Sequence, residues 1–202
     1  MKKRYKILYA SVLVVSVFTH YSCNSTEKYK TYINKCMDQK SILWTKINDE
    51  RFQVLCQYKP IQLCSLLEVG LENFNQSQYD SALNKYQNMI SYNLYLSDYF
   101  DFPSGEILNE LSSSPTLSLE TFLSERLQVV TDDDTLSNPI VHVVREKRDN
   151  YNNTALVYFQ MDTIINASGW ELLLNIATGT TNNIKLSSLK KEQLLNFNSE
   201  NL

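Results

Sequence analysis

The spacing of apolar residues changes once along this chain, at about residues 131–139, and this change limits the possible fold more than any motif does. Before it, apolar side chains recur every three or four residues, as on one face of a helix. After it, short runs rich in β-branched and aromatic residues alternate with polar turns, as in antiparallel strands. The sequence therefore predicts an α+β protein, with a helical domain over residues 23–130, a linker over 131–139 and a small antiparallel β-sheet over 140–202.

Four runs in the last part of the chain have the composition of strands. The polar segments "RDNYNN" and "GTTNN" separate the members of each neighbouring pair, which is typical of hairpins. A short helix over about 188–197 is predicted to close the chain. The predicted strands are residues 140–147, 154–161, 170–178 and 183–189.

The preceding part begins with apolar residues at helical spacing between Tyr29 and Ile47. "INDE" at 47–50 is predicted to form a turn, after which "NDERFQVLCQY" restarts a helix that Pro60 should end. Further amphipathic helices are predicted over about 61–74, 78–92 and 117–130.

The first 22 residues have the pattern of an export signal. Four of the first six residues are positively charged, and the next thirteen, residues 7–19, carry no charge. Crossing a bilayer takes about 20 apolar residues, so this run is short for a transmembrane helix. A basic head followed by an apolar run of this length predicts a signal peptide over residues 1–22.

A cysteine and small polar residues follow the apolar run, in "HYSCNST" at 20–26. This arrangement resembles the signal of bacterial lipoproteins, which signal peptidase II cuts before the cysteine. Ser22 fits the pattern, whereas His20 and Tyr21 stand where aliphatic and small residues are usual. Relaxed signals of this kind are familiar in Bacteroidota. The resemblance implies that Cys23 begins the mature chain and carries several acyl chains such as palmitate, and two or more chains anchor a protein firmly in a membrane.

Removal of the signal leaves 180 residues with 15 basic and 22 acidic side chains, a net charge of -7. An acidic chain without basic runs is a poor candidate for binding nucleic acid, because phosphate contacts need clustered Lys and Arg. Surface-exported lipoproteins of Bacteroidota often carry an acidic run after the cysteine, but "NSTEKYK" contains only Glu27. The resemblance therefore implies a lipoprotein on the periplasmic face of the outer membrane.

Three cysteines remain if Cys23 carries lipid. In an oxidising periplasm one disulfide and one free thiol are a natural outcome. A helical hairpin centred on residues 47–50 would bring Cys36 within reach of either Cys56 or Cys64. Three buried free thiols are the alternative. No histidine lies near them in the sequence, so no zinc site is predicted.

The segment 61–92 resembles one tetratricopeptide repeat. Leu66 and Gly70 take the large apolar and glycine positions of its first helix, and Ala82 and Tyr86 take the alanine and aromatic positions of its second. The resemblance implies two antiparallel helices packed closely at Gly70 and Ala82. The closing proline of the motif is missing, and no second copy lies one repeat length away, so a helix pair without repeat ancestry is the alternative.

Five aromatic residues crowd into "YNLYLSDYFDF" at 92–102. On a helix they could line a groove for a peptide of a partner protein, or three of them could form a stripe that packs in the core. The candidate partner-binding residues are Tyr92, Tyr95, Tyr99, Phe100 and Phe102.

Three tripeptides of the form Asp-(Ser/Thr)-aliphatic resemble the O-glycosylation motif of exported Bacteroidota proteins. Chance matches are the alternative. The candidate acceptor residues are Ser81, Thr135 and Thr163.

The mature chain carries no recognisable catalytic motif, although the sequence leaves paired carboxylates open because their spacing is spatial. His142 is its only histidine, and nothing in the sequence links it to a nucleophile. No GxSxG, HExxH, GxGxxG or phosphate-binding loop is present. The three adjacent aspartates at 132–134 lack the alternating ligands of a calcium loop, so a solvated linker is predicted there. The sequence predicts no enzyme, no cofactor and no metal site.

Together these features favour a lipid-anchored cell-envelope protein that binds another protein, as an accessory or assembly component of an envelope or secretion system. One alternative is a periplasmic immunity lipoprotein that neutralises a delivered toxin, for instance one from type VI secretion. Another is a small periplasmic enzyme that uses His142.

The lipoprotein signal makes a direct prediction about membrane attachment. Cys23→Ala should move the protein from the membrane fraction to the soluble fraction and remove the acyl mass from its N-terminal peptide, because that thiol carries the lipid. The control Ser25→Ala should stay with the membrane. A Cys23→Ala protein that remains membrane-bound would rule out the anchor.

Overall fold

A computed structural model describes residues 26–48, 53–97, 115–132, 134–144, 151, 153–161, 167–175 and 183–202. Over these ranges the chain forms five helices and nine strands, and the strands form two antiparallel sheets. The predicted α+β class is confirmed. No helix in the described part of the chain is long and apolar enough to cross a membrane.

The elements follow one another in a mixed order along the chain. The helices are α1 (26–37), α2 (Ile61–Val69), α3 (Gln76–Tyr86), α4 (Pro115–Arg126) and α5 (Lys191–Asn201). The strands are β1 (Trp44–Asn48), β2 (Gln53–Lys59), β3 (Met89–Leu96), β4 (Leu127–Thr131), β5 (Thr135–Ser137), β6 (Ile140–Val144), β7 (Asn153–Gln160), β8 (Gly169–Asn175) and β9 (Asn183–Lys190).

The larger sheet, sheet A, has the strand order β1-β2-β3-β7-β6. Its central pair is β3 and β7, whose register runs from Met89 opposite Gln160 to Leu96 opposite Asn153. Residues from both sides of the 131–139 segment therefore share one sheet. That segment, predicted as a linker, itself contains the short strand β5 and the last residue of β4.

The smaller sheet, sheet B, has the strand order β5-β4-β8-β9 and packs on one face of sheet A. Tyr58 of β2 and Trp170 of β8 meet across this layer, with ring centroids 5.5 Å apart. Leu94, Val157 and Leu172 are fully buried. The main core therefore lies between the two sheets, where apolar burial stabilises the fold most.

Helix α1 is fixed to sheet A at its C-terminal end. The carbonyl oxygen of Cys36 accepts hydrogen bonds from the indole nitrogen of Trp44 (2.9 Å) and the side-chain amide of Gln57 (3.1 Å). Gln57 is fully buried, and its amide oxygen accepts a hydrogen bond from Asn93. A buried polar side chain is tolerated here because its donors and acceptors are paired.

The predictions of strands β6 to β9 and of a closing helix are confirmed, with the helix starting at Lys191. The helical prediction is also correct for residues 26–37. It is wrong where the structure has β1, β2 and β3, and the helix predicted to end near Val129 ends at Arg126, before β4.

Helices are wrongly predicted in this part of the chain because its strands are buried on both faces. In β2 every residue from Val54 to Tyr58 is buried, so the strand shows no alternation of apolar and polar positions. A short continuous apolar run cannot be told from a buried helix by its period. Tyr92 and Tyr95 of β3 repeat at a helical interval by coincidence, although they lie on opposite faces of a strand.

Helices α2 and α3 contact each other, and each is shorter than predicted. Gly70 does not lie at the helix contact: it ends α2 with a φ of 74°, and a Cβ there would meet nothing within 4 Å. Its role is conformational, since that backbone region strongly favours glycine. Ala82 is buried as predicted, and the flanking elements along the chain are the strands β2 and β3.

The three described cysteines are free and buried, and the predicted disulfide from Cys36 to Cys56 or Cys64 is not formed. That pairing assumed a helical hairpin around residues 47–50, whereas β1 and β2 form a β-hairpin in which Cys56 lies opposite Thr45. Burial raises the pKa of the Cys36 thiol to about 12 and raises those of Cys56 and Cys64 as well. These thiols are therefore protonated at neutral pH and unreactive.

The contact between α2 and α3 predicts a pH-dependent stability. Hydrogen bonds from Lys85 and then Tyr86 hold the pKa of the Glu68 carboxyl below its usual range. The ionised Glu68 carboxylate therefore stabilises the fold fully above its unfolded-state pKa of about 4.3. This stabilisation is lost as the pH falls through the lower pKa that the group has in the folded protein. Glu68→Gln should reduce the free energy of unfolding by about 0.5 kcal/mol at pH 7, because the pair is solvent-exposed.

Urea unfolding at several pH values checks this, with Glu72→Gln, an exposed carboxylate just after α2, as the control. The loss caused by Glu68→Gln should shrink towards zero below the folded pKa. An equal loss at all pH values would show that the side chain acts by packing and not by its charge.

Candidate functional site

Two adjoining cavities open where the strands of sheet B meet the start of α5. They measure about 750 and 240 Å³ and share the residues Trp170, Lys191 and Leu195. We call the combined depression the Trp170 groove. The larger part lies over the ends of β4, β8 and β9, and the smaller part reaches between the two sheets to Tyr58 and Ile90.

Gly169 allows strands β8 and β9 to approach closely at the edge of the groove. A Cβ at Gly169 would lie 2.5 Å from the carbonyl oxygen of Leu189, closer than atoms can approach. Gly169 lies opposite Lys190 in the register of the two strands. A larger residue at position 169 would therefore separate two strands that line the groove.

Apolar side chains define the inner part of the groove. Trp170 is half-buried and rests on Tyr58, and Met161 and Ile90 are buried beside them. Leu195, on the first turns of α5, is 59% exposed and lines both cavities. The groove thus presents an aromatic ring and a solvent-exposed leucine side by side.

The rim carries charges of both signs, and its carboxylates are held in place. Asp132 accepts hydrogen bonds from the backbone N–H (3.0 Å) and the hydroxyl of Ser168, and these bonds keep the pKa of the Asp132 carboxyl below its usual range. Glu171 accepts hydrogen bonds from Lys185 and, at 3.3 Å, from Ser188. Both carboxylates therefore connect neighbouring segments of the chain at the rim of the groove.

The lining of the groove holds polar groups of several kinds. Among the described residues it contains hydroxyls, carboxylates and lysines but no histidine and no cysteine. In the described part of the chain, no group of three His, Cys, Asp or Glu side chains is arranged to hold a metal ion.

His142 lies on β6, away from the Trp170 groove. Its side chain is 68% exposed, and its Nδ1 atom is 3.3 Å from Oε1 of Glu120. The same carboxylate oxygen accepts the backbone N–H of Val143 at 2.7 Å, which covers part of this edge strand. His142 therefore has one neighbouring carboxylate and lies on an exposed strand. Glu120 also has a structural role, because it pairs a backbone N–H of this edge strand.

The predicted aromatic surface is divided between the core and residues outside the described ranges. Tyr92 and Tyr95 are 1% and 4% exposed on β3, so neither is available to a partner. Tyr92 faces Tyr58 at 5.4 Å, and Tyr95 stacks on Trp44 at 5.7 Å. Both pack in the protein interior, on a strand and not on the predicted helix. Tyr99, Phe100 and Phe102 lie outside the described residues.

The remaining candidates concern modification. Ser81 on α3 and Thr135 on β5 are exposed, whereas Thr163 and Cys23 lie outside the described residues. Glycosylation and lipidation stay predictions.

Sequence reasoning missed the Trp170 groove. "WELLLNIAT" was assigned to a strand and the region of Leu195 to a helix, but neither assignment shows that the two side chains meet. No sequence pattern brings Trp170 and Leu195 together, because they lie on different elements that only the tertiary structure joins.

Comparison of the chain with protein-family models, curated proteins and solved structures finds no match in any of the three.

Proposed function

We propose that this chain is a lipid-anchored protein of the bacterial cell envelope that acts by binding another protein, and that the partner binds in the Trp170 groove. The lipoprotein-like signal ending at Cys23 supports the anchor. The shape and composition of the groove support the binding role.

The exposure of Leu195 beside Trp170 is the observation that carries this proposal. A leucine that is 59% exposed next to a half-buried aromatic ring leaves apolar surface in water. Burying such a side chain contributes about 1.5–3 kcal/mol. Protein interfaces concentrate their binding energy on a few central apolar or aromatic residues that a polar rim surrounds, and the Trp170 groove has this arrangement.

Hydrogen bonds and a close strand contact connect the segments that line the groove. Ser168 bonds to Asp132 and Lys185 to Glu171, and Gly169 lets β8 and β9 approach closely. A preformed site loses less conformational entropy on binding than one that must first become ordered. This favours an accessory or assembly role, in which the chain holds a partner at the membrane.

A catalytic role receives less support from the same geometry. His142 is exposed on β6 with one neighbouring carboxylate, and the three described thiols are buried and protonated. His142 and the three described thiols thus lie in separate parts of the molecule and outside the lining of the groove.

Site-specific crosslinking in intact cells tests the proposal. A photo-reactive amino acid in place of Leu195 should yield one discrete adduct with a protein from the envelope, because this side chain lies at the centre of the proposed contact. The additional substitution Trp170→Ala should weaken the adduct severalfold, since central aromatic residues carry most of the binding energy.

The matched control places the same probe at Ile140, which is 61% exposed on β6. It should give no discrete adduct. Equal labelling from both positions, or none from Leu195 in a membrane-bound chain, would contradict the assignment of the groove as the binding surface.

A further inference from the structure

The distance between the proposed lipid anchor and the folded chain is short. Cys23 precedes Thr26, the first described residue of α1, by three residues. Whatever their conformation, three residues span at most about 11 Å. If Cys23 carries the lipid, as proposed above, the first turn of α1 must lie close to the surface of the bilayer.

The structure places a second element beside that first turn. The ring of Tyr29 lies 4.8 Å from the ring of Phe74 and 5.4 Å from that of Tyr79. Phe74 belongs to the turn between α2 and α3, and Tyr79 to the start of α3. The tip of the α2–α3 pair is therefore fixed to the same end of α1 as the anchor.

The surface formed in this way combines partly exposed aromatic rings with charged side chains. Tyr29 and Phe74 are half-buried, so part of each ring reaches solvent. Lys28 and Lys30 are exposed on the same turn of α1 together with Glu27, and Glu72 is exposed two residues before Phe74. Aromatic side chains are enriched at the level of lipid headgroups, and lysines are attracted to lipid phosphates.

The other end of α1 leads away from this surface. Cys36 lies ten residues beyond Thr26, a rise of about 15 Å along a helix. There its carbonyl oxygen binds Trp44 and Gln57, so β1 and β2 meet α1 at the end remote from the anchor. Strand β6 forms the opposite edge of the same sheet and is three strands away from β2.

We propose that the surface of Tyr29 and Phe74, the anchor face, is the side of the protein that the lipid holds against the bilayer. The inference rests on the proposed lipid anchor and adds an orientation to it. The partner of the anchor face is a phospholipid surface, because the short tether brings that surface within reach of both side chains.

Quenching by brominated phospholipids tests the orientation in the full-length lipidated chain. With Trp44 and Trp170 changed to Phe, a single tryptophan is introduced by Phe74→Trp or, as the control, by Val144→Trp on the exposed part of β6. In vesicles of brominated phosphatidylcholine the emission of the Phe74→Trp chain should fall about twofold, as expected for a ring at the acyl boundary. The Val144→Trp chain should keep its emission.

Flotation of the vesicles separates the possible outcomes. A chain that floats with the vesicles but is quenched equally at both positions, or at neither, overturns the orientation and leaves the lipid anchor intact. A chain that stays in solution overturns the anchor and the orientation together.

A second measurement does not need the tryptophan substitutions and so avoids any loss of folding that they cause. A photo-reactive phenylalanine at position 74 of the otherwise unchanged lipoprotein should gain the mass of one phospholipid on illumination in vesicles, and the same probe at position 144 should not. A vesicle-bound chain without a lipid adduct at position 74 would also overturn the orientation.

Discussion

The pairing of β3 with β7 joins the two halves of the chain in one sheet. It links Met89–Leu96 to Asn153–Gln160 through eight opposed residue pairs, and β2 and β1 on one side and β6 on the other complete the sheet. Tyr92 and Leu94 on β3 are almost fully buried. Strand β3 also contacts α2, and its neighbour β2 contacts β9 of sheet B, so both of these layers are built on one long-range pairing.

That pairing is also the part of the fold that local sequence patterns reveal least. Strands β6 to β9 are less buried and lie in hairpins with polar turns, so their composition predicted them correctly. Helix α3 was predicted from its amphipathic spacing, and Asn75 caps it by accepting the N–H of Gln78. Strands β2 and β3 are buried on both faces, and a continuous apolar run carries no period that would distinguish it from a buried helix.

The candidate site could not be predicted for a related reason. The Trp170 groove draws its lining from β4, β8, β9 and α5 and from the region where β2 meets α2, which only the tertiary structure brings together. Tyr92 and Tyr95 are predicted to bind a partner because aromatic residues are crowded in that part of the sequence. Their burial in the structure makes both rings inaccessible to a partner. The prediction of lipidation at Cys23 is independent of the fold, because an export signal is a local sequence pattern that acts before folding.

Hydrogen exchange distinguishes the Trp170 groove from other surfaces as the site at which the proposed membrane-held protein binds its partner. The exchange of the complex purified from membranes is compared with that of the same chain after release of the partner. The expected result is slower exchange of the amides in residues 168–171 and 188–195 in the complex, with the exchange of β6 unchanged. Slower exchange confined to other surfaces, such as residues 140–144, would contradict it.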